Sequence, residues 1–143
     1  MSGGPQGPVS STQGPDVITL VAVALGGAIG ALGRYAVGLA FPHTTGAFPV
    51  STFLVNITGS LAIGVLVGWL SVQHAPSPLA RPFVGVGVLG GWTTFSALAV
   101  DAVSLARSGH DALALGYVTA TFVVGVLLTG AGIAAAQRIW APA

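Results

Sequence analysis

Four long apolar stretches with almost no charge in them govern what this chain can fold into: residues 17–41, 50–72, 79–106 and 112–139. Each reaches the ~20 residues a helix needs to cross ~30 Å of hydrocarbon at ~1.5 Å per residue. Charged residues make up 5% of the chain (four Arg, three Asp, no Lys and no Glu), against about 25% in a soluble domain. So few charges cannot wet a water-facing surface, and lipid is the solvent that suits this composition. The sequence therefore predicts an all-α membrane protein: four transmembrane helices over 17–139, between a tail at 1–16 and a short end at 140–143. The tail is Gly, Pro, Ser and Gln without an apolar period, which predicts disorder. It has no basic stretch of the kind that opens a signal peptide.

Four crossings put both termini on one side. Trp69 and Trp140 then fall near that interface, and Tyr35, Phe41 and Phe48 near the other, as an aromatic belt requires. Arg81 and Arg138 lie on the side of the termini; Arg107 and, deeper, Arg34 lie on the opposite side. This charge bias is close to zero. It is consistent with an orientation set by something else, and equally with dual topology, in which copies insert both ways and pair antiparallel.

The 22 glycines show no collagen-like period and sit inside the apolar runs. Gly26 and Gly30, and Gly64 and Gly68, have the small-xxx-small spacing that lets membrane helices approach closely, and helix packing is the reading for Gly27 and Gly33 as well. Several function classes are excluded or disfavoured. Scattered arginines make no phosphate-binding patch, so nucleic acid is not a partner. Without cysteine there is no disulfide or thiolate site. No phosphate-binding loop, zinc-protease motif or nucleophile elbow occurs. His43, His74 and His110 are loop residues without metal-ligand spacing, and nothing points to an enzyme. A proton-coupled drug exporter of this size needs a carboxylate deep in its first helix, and Asp16 precedes that helix.

Polar groups at membrane depth carry the functional signal. Arg34 suits either snorkelling to the interface or a water-filled vestibule that attracts anions. Asn56 brings two donors and an acceptor, for an interhelical hydrogen bond or for an anion. Gly90-Gly91-Trp92-Thr93-Thr94-Phe95-Ser96 pairs glycines with β-branched residues and makes a poor mid-membrane helix. Broken helices free backbone groups that bind ions, carbonyls suiting a hard cation and N–H groups an anion; a kink patched by Thr side chains is the alternative. Asp101 follows the break by two turns and is a candidate partner for Arg34. Tyr117, Thr121, Gly125 and Thr129 recur every four residues on one face, either as a polar track or as back-bonded hydroxyls.

Four segments, one on each expected helix, resemble the Fluc/CrcB fluoride-channel family. They are the Gly-rich stretch 27–35 ending at Arg34-Tyr35, Thr52-x-x-x-Asn56-x-x-Gly59, Gly90-Gly91-Trp92-Thr93-Thr94-Phe95-Ser96 with an acid at Asp101, and Gly116-Tyr117-x-x-x-Thr121. The resemblance implies a plasma-membrane channel subunit that lets cytoplasmic fluoride escape passively. It implies an antiparallel dimer with a second copy or a homologous chain. It also implies a structural Na⁺ at the dimer centre, held by the backbone carbonyls of Gly90 and Thr93 from both chains. Asn56 and the hydroxyls of Ser96, Thr121 and Thr129 are then the fluoride donors, with Phe95 presenting its positive ring edge. Arg34 and Tyr117 complete the candidate pore residues. The chain departs from the family pattern at Ala97 and Leu98, where Thr and Phe are usual, and at Gly125, where Ser is common. The second pore phenylalanine is missing from its usual place, which leaves a degraded partner in a heteromeric or non-conducting assembly as the alternative.

Overall fold

The structure is a computed structural model that describes residues 16–141; the expectations for residues 1–15 and 142–143 lie outside the described residues. It is all-helical. In chain order it contains α1 (Val17–Ala40), α2 (Val50–Val72), a π-helical segment (Ala80–Leu89), a single turn α3 (Gly90–Trp92), α4 (Phe95–Arg107) and α5 (Asp111–Trp140). Val17–Ala40, Val50–Val72, Ala80–Arg107 and Asp111–Trp140 are each long and apolar enough to cross a membrane. The four membrane-length helices lie over the four apolar runs. Asp16 is the N-cap of α1, its carboxylate accepting from the Thr19 amide at 2.7 Å, and this bond holds the carboxyl below its ordinary range. Trp140, placed in the C-terminal end, closes α5.

Two helix pairs form the body. In the first, α1 lies against the π-helical segment and α3. Gly26 and Gly30 leave room for the backbone carbonyls of Phe83 and Val88, Gly87 in turn meets Gly26, and the Trp92 ring lies over Gly33. The backbones touch because these positions carry no side chain, so a close approach here needs glycine. The wider winding of the π-helical segment, with i→i+5 bonds in place of i→i+4, was not legible in the apolar pattern. In the second pair α5 runs along α2, with Gly64 against the Thr129 backbone, Gly68 against Ile133 and Gly132 against Leu61 and Val65. Both small-xxx-small motifs therefore serve packing.

A cluster of Leu98, Leu105, Ala114 and Tyr117 ties α4 to α5, with Phe48 and Phe53 packed against it. Phe48 stacks edge-on against both Phe53 and Tyr117, with ring centroids 5.3 Å apart in each pair. The interior is otherwise lean. Leu32, Leu115, Val126 and Leu127 are among many large apolar side chains that face outward, as suits a lipid-facing exterior.

Gly30→Val should lower the thermal midpoint of the purified protein in detergent, because its side chain would enter the Val88 carbonyl; overpacking of this kind costs about 1–3 kcal/mol. Gly38→Val, at a position with nothing within 4 Å, should leave the midpoint within about 1 °C.

Candidate functional site

The third apolar run is interrupted at Thr93 and Thr94, which are extended (φ −78°, ψ 159° and φ −151°, ψ 118°). The interruption is held from a neighbouring helix. Asn56 on α2 donates from Nδ2 to the Thr94 carbonyl at 3.0 Å, and its Oδ1 accepts from the Thr94 amide at 2.8 Å. One side chain thus satisfies both backbone groups of a residue that has left the helix. Thr94 in turn caps α4: its Oγ1 accepts from the Ala97 amide at 3.1 Å and lies 3.2 Å from Ser96 Oγ.

These bonds decide which backbone groups are left over. In an α-helix the amide of residue i donates to the carbonyl of i−4. The Thr94 amide is taken by Asn56, which frees the Gly90 carbonyl. The Ala97 amide is taken by Thr94 Oγ1, which frees the Thr93 carbonyl. Arg34 Nη1 donates to that Thr93 carbonyl at 3.1 Å, while Thr93 Oγ1 turns back to the Leu89 carbonyl at 2.9 Å. Trp92 Nε1 donates to Thr58 Oγ1 at 3.0 Å, and Gly59 leaves room for the Thr93 methyl group. On the other side of the break, α4 begins with first-turn N–H groups that have no partner inside the helix.

A groove of about 530 Å³ runs beside the break and brings together Asn56, Gly90, Thr93, Phe95, Thr121 and Thr129 from the sequence-predicted set, together with Ser60, Leu98, Phe122 and Gly125. Phe95 is 72% exposed and Phe122 53%. Arg34, Ser96 and Tyr117 are not among its lining residues. Tyr117 is fully buried, with its hydroxyl 3.4 Å from Asp101 Oδ2. Asp101 lies 3.6 Å from His43 Nε2 on the loop between α1 and α2. The pairing of Asp101 with Arg34 is thus replaced: Arg34 serves the break, and Asp101 joins His43 and Tyr117.

Two of the expected hydroxyl donors are already engaged. Thr121 Oγ1 donates to the Tyr117 carbonyl at 2.8 Å, and Thr129 Oγ1 lies within reach of the Ser60 and Gly125 carbonyls at 3.0 and 2.9 Å. Back-bonding, one of the two readings of this face, is what the structure contains. Asn56 keeps one N–H beyond its bond to Thr94. Sequence reasoning missed Thr94, although a Thr directly before an apolar run is a helix-start signal. It also missed Ser60 and Phe122, for which no local signal exists.

The profile of the family described as CrcB-like protein, Camphor Resistance (CrcB), matches residues 21–133. The chain belongs to the CrcB family. It is 44% identical to the fluoride-specific ion channel FluC of Rhodospirillum centenum over 80% of this chain and 92% of that protein. It is 46% identical to the FluC of Hyphomonas neptunium over 83% and 95%. FluC 3 of Streptomyces avermitilis is 44% identical over 80% of this chain, which spans 56% of that longer relative; FluC 2 of the same organism is covered to 63%. With four membrane-length helices, this CrcB member is a multi-pass membrane protein.

Thr94→Ala should destabilise the protein by about 1 kcal/mol through loss of the α4 cap, read as a lower thermal midpoint in detergent; Thr94→Ser should retain most of the stability.

Proposed function

We propose that this chain is a subunit of a fluoride-selective channel in the plasma membrane that passes cytoplasmic fluoride outward, down its gradient, and so relieves fluoride toxicity. The names of the relatives support the ion. The observation that carries the reading is the groove at the helix break, where Asn56, Phe95 and the start of α4 face one space. Fluoride is small and strongly hydrated, so a pathway must replace its water with fixed donors. Asn56 supplies an N–H whose carbonyl end is anchored on Thr94. The start of α4 supplies unpaired N–H groups and the positive end of a helix dipole. Phe95 offers its ring edge, the positive part of the aromatic quadrupole.

The groove lies open along one side, flanked by the exposed Phe95, Phe122 and Val126. A second subunit closes it, and the near-absence of charge bias suits an antiparallel arrangement. Thr93 and Thr94 are the two central residues of the 28-residue span Ala80–Arg107, which supports a break at mid-membrane. There the freed Gly90 and Thr93 carbonyls fit a hard cation such as Na⁺ in chemistry, being oxygen donors without a helical partner. Thr93 offers its second lone pair beside the Arg34 bond. Na⁺ held by these two carbonyls would supply a structural positive charge at the break and would not be transported.

A second reading, an obligate partner in a heteromeric channel, is favoured by one feature. Leu98 lines the groove where an aromatic residue is usual, and it is 4% exposed.

Liposomes containing this chain alone should release fluoride rapidly while retaining chloride. Folded protein that releases neither moves the assignment to the heteromeric reading, tested by adding a second family chain. Asn56→Asp places a negative charge in the path and should slow fluoride release at least about tenfold; unchanged release removes Asn56 from it. Thr93→Ala keeps the carbonyl, so Na⁺-dependent dimerisation, read by light scattering in Na⁺ against a bulky organic cation, should persist. Its loss refutes the carbonyl assignment.

A further inference from the structure

Five hydroxyl side chains line the groove: Ser60, Thr93, Thr94, Thr121 and Thr129. A hydroxyl has a single proton to give, and an anion needs that proton. Thr93, Thr121 and Thr129 direct theirs to backbone carbonyls. Thr94 Oγ1 caps α4 and pairs with Ser96. Among the described residues, Ser60 Oγ alone of the five takes part in none of the hydrogen bonds. The backbone beneath it is held, because the Ser60 carbonyl accepts from Thr129 Oγ1. Ser60 also sits one turn beyond Asn56 on α2, so the two side chains share a helix face.

Gly125 explains how the hydroxyl reaches the groove. A Cβ built at Gly125 would stand 3.1 Å from Ser60 Oγ and 3.8 Å from Ser60 Cβ, and would meet nothing else within 4 Å. The Ser60 hydroxyl from α2 stands in tight contact with the space that a side chain on α5 would enter. We propose that Ser60 is a fluoride ligand of this chain, its hydroxyl standing beside Gly125 and donating the proton that Thr121 and Thr129 withhold. This rests on the channel reading above. It moves the hydroxyl donor from α5 to α2, beside the free N–H of Asn56.

The test is fluoride and chloride release from liposomes, in whichever preparation conducts, this chain alone or with a second family chain. Ser60→Ala should slow fluoride release about tenfold or more, the effect of losing one hydrogen bond to a charged group. Ser60→Thr keeps the donor and should stay within about threefold of the unaltered chain. The double variant Ser60→Ala with Gly125→Ser removes the oxygen at 3.1 Å, leaves ordinary contact at 3.8 Å, and returns a hydroxyl to the same space from α5; it should recover most of the release. Ser104→Ala, away from the groove, controls for serine loss. Unchanged release in Ser60→Ala overturns the assignment, as does slow release that neither Ser60→Thr nor the double variant restores, since the serine is then needed for packing and not for its proton. If Ser60→Ala does not fold, the other two variants decide by the same criteria. Absence of fluoride release from the unaltered chain in both preparations overturns the channel reading and this assignment together.

Discussion

The pair of hydrogen bonds between Asn56 and the backbone of Thr94 is the interaction on which the rest of the site depends. A chain that leaves a helix in an apolar setting must satisfy the amide and carbonyl it exposes, or lose several kcal/mol for each. Asn56 meets both needs at once, since an amide side chain presents a donor and an acceptor at the spacing of a peptide group. An aliphatic residue in its place would leave the break without support, and a carboxylate would supply no donor. The break then propagates outward. Thr94 is free to cap α4, Gly90 and Thr93 lose their helical donors, and Arg34 finds a carbonyl to bind.

Packing makes the break tolerable. The segment before it lies flush against α1 because Gly26, Gly30 and Gly87 bring the backbones together. The segment after it is held by the cluster around Leu98, Leu105 and Tyr117. Each half of the interrupted helix therefore has its own partner, and the two extended residues between them do not have to carry the fold. Near-total absence of charge in the interior leaves hydrogen bonds and close contact as the forces available, which is the usual situation in lipid, where apolar burial gives little drive.

The face of α5 illustrates how geometry redistributes roles. Tyr117, Thr121, Gly125 and Thr129 do share one side, as their four-residue spacing requires. Yet Tyr117 is wholly buried against Asp101, and the two threonines spend their protons on backbone carbonyls. A threonine in a helix has a carbonyl one turn back within reach of its hydroxyl, and in an apolar setting no water competes for that bond. Gly125 leaves room beside the Ser60 hydroxyl. The phenyl rings of the groove likewise come from two helices, Phe95 on α4 and Phe122 on α5, while Leu98 both lines the groove and packs in the buried cluster.

Length and apolar content alone determined the four membrane-length helices, because a helix is the only open-ended backbone that satisfies itself in lipid. The glycine spacings announced close packing, and the run from Gly90 to Ser96 announced the break, since both are local properties of a few adjacent residues. Which groups the break leaves free was decided by tertiary structure. Asn56 and Thr94 are 38 positions apart and Arg34 and Thr93 are 59 apart, so nothing in the spacing relates them. Asp101 meeting His43 in place of Arg34, Ser60 standing beside Gly125, and the π winding of Ala80–Leu89 have the same origin. A side chain's proton goes to the acceptor that folding brings within about 3 Å, and sequence order does not contain that distance.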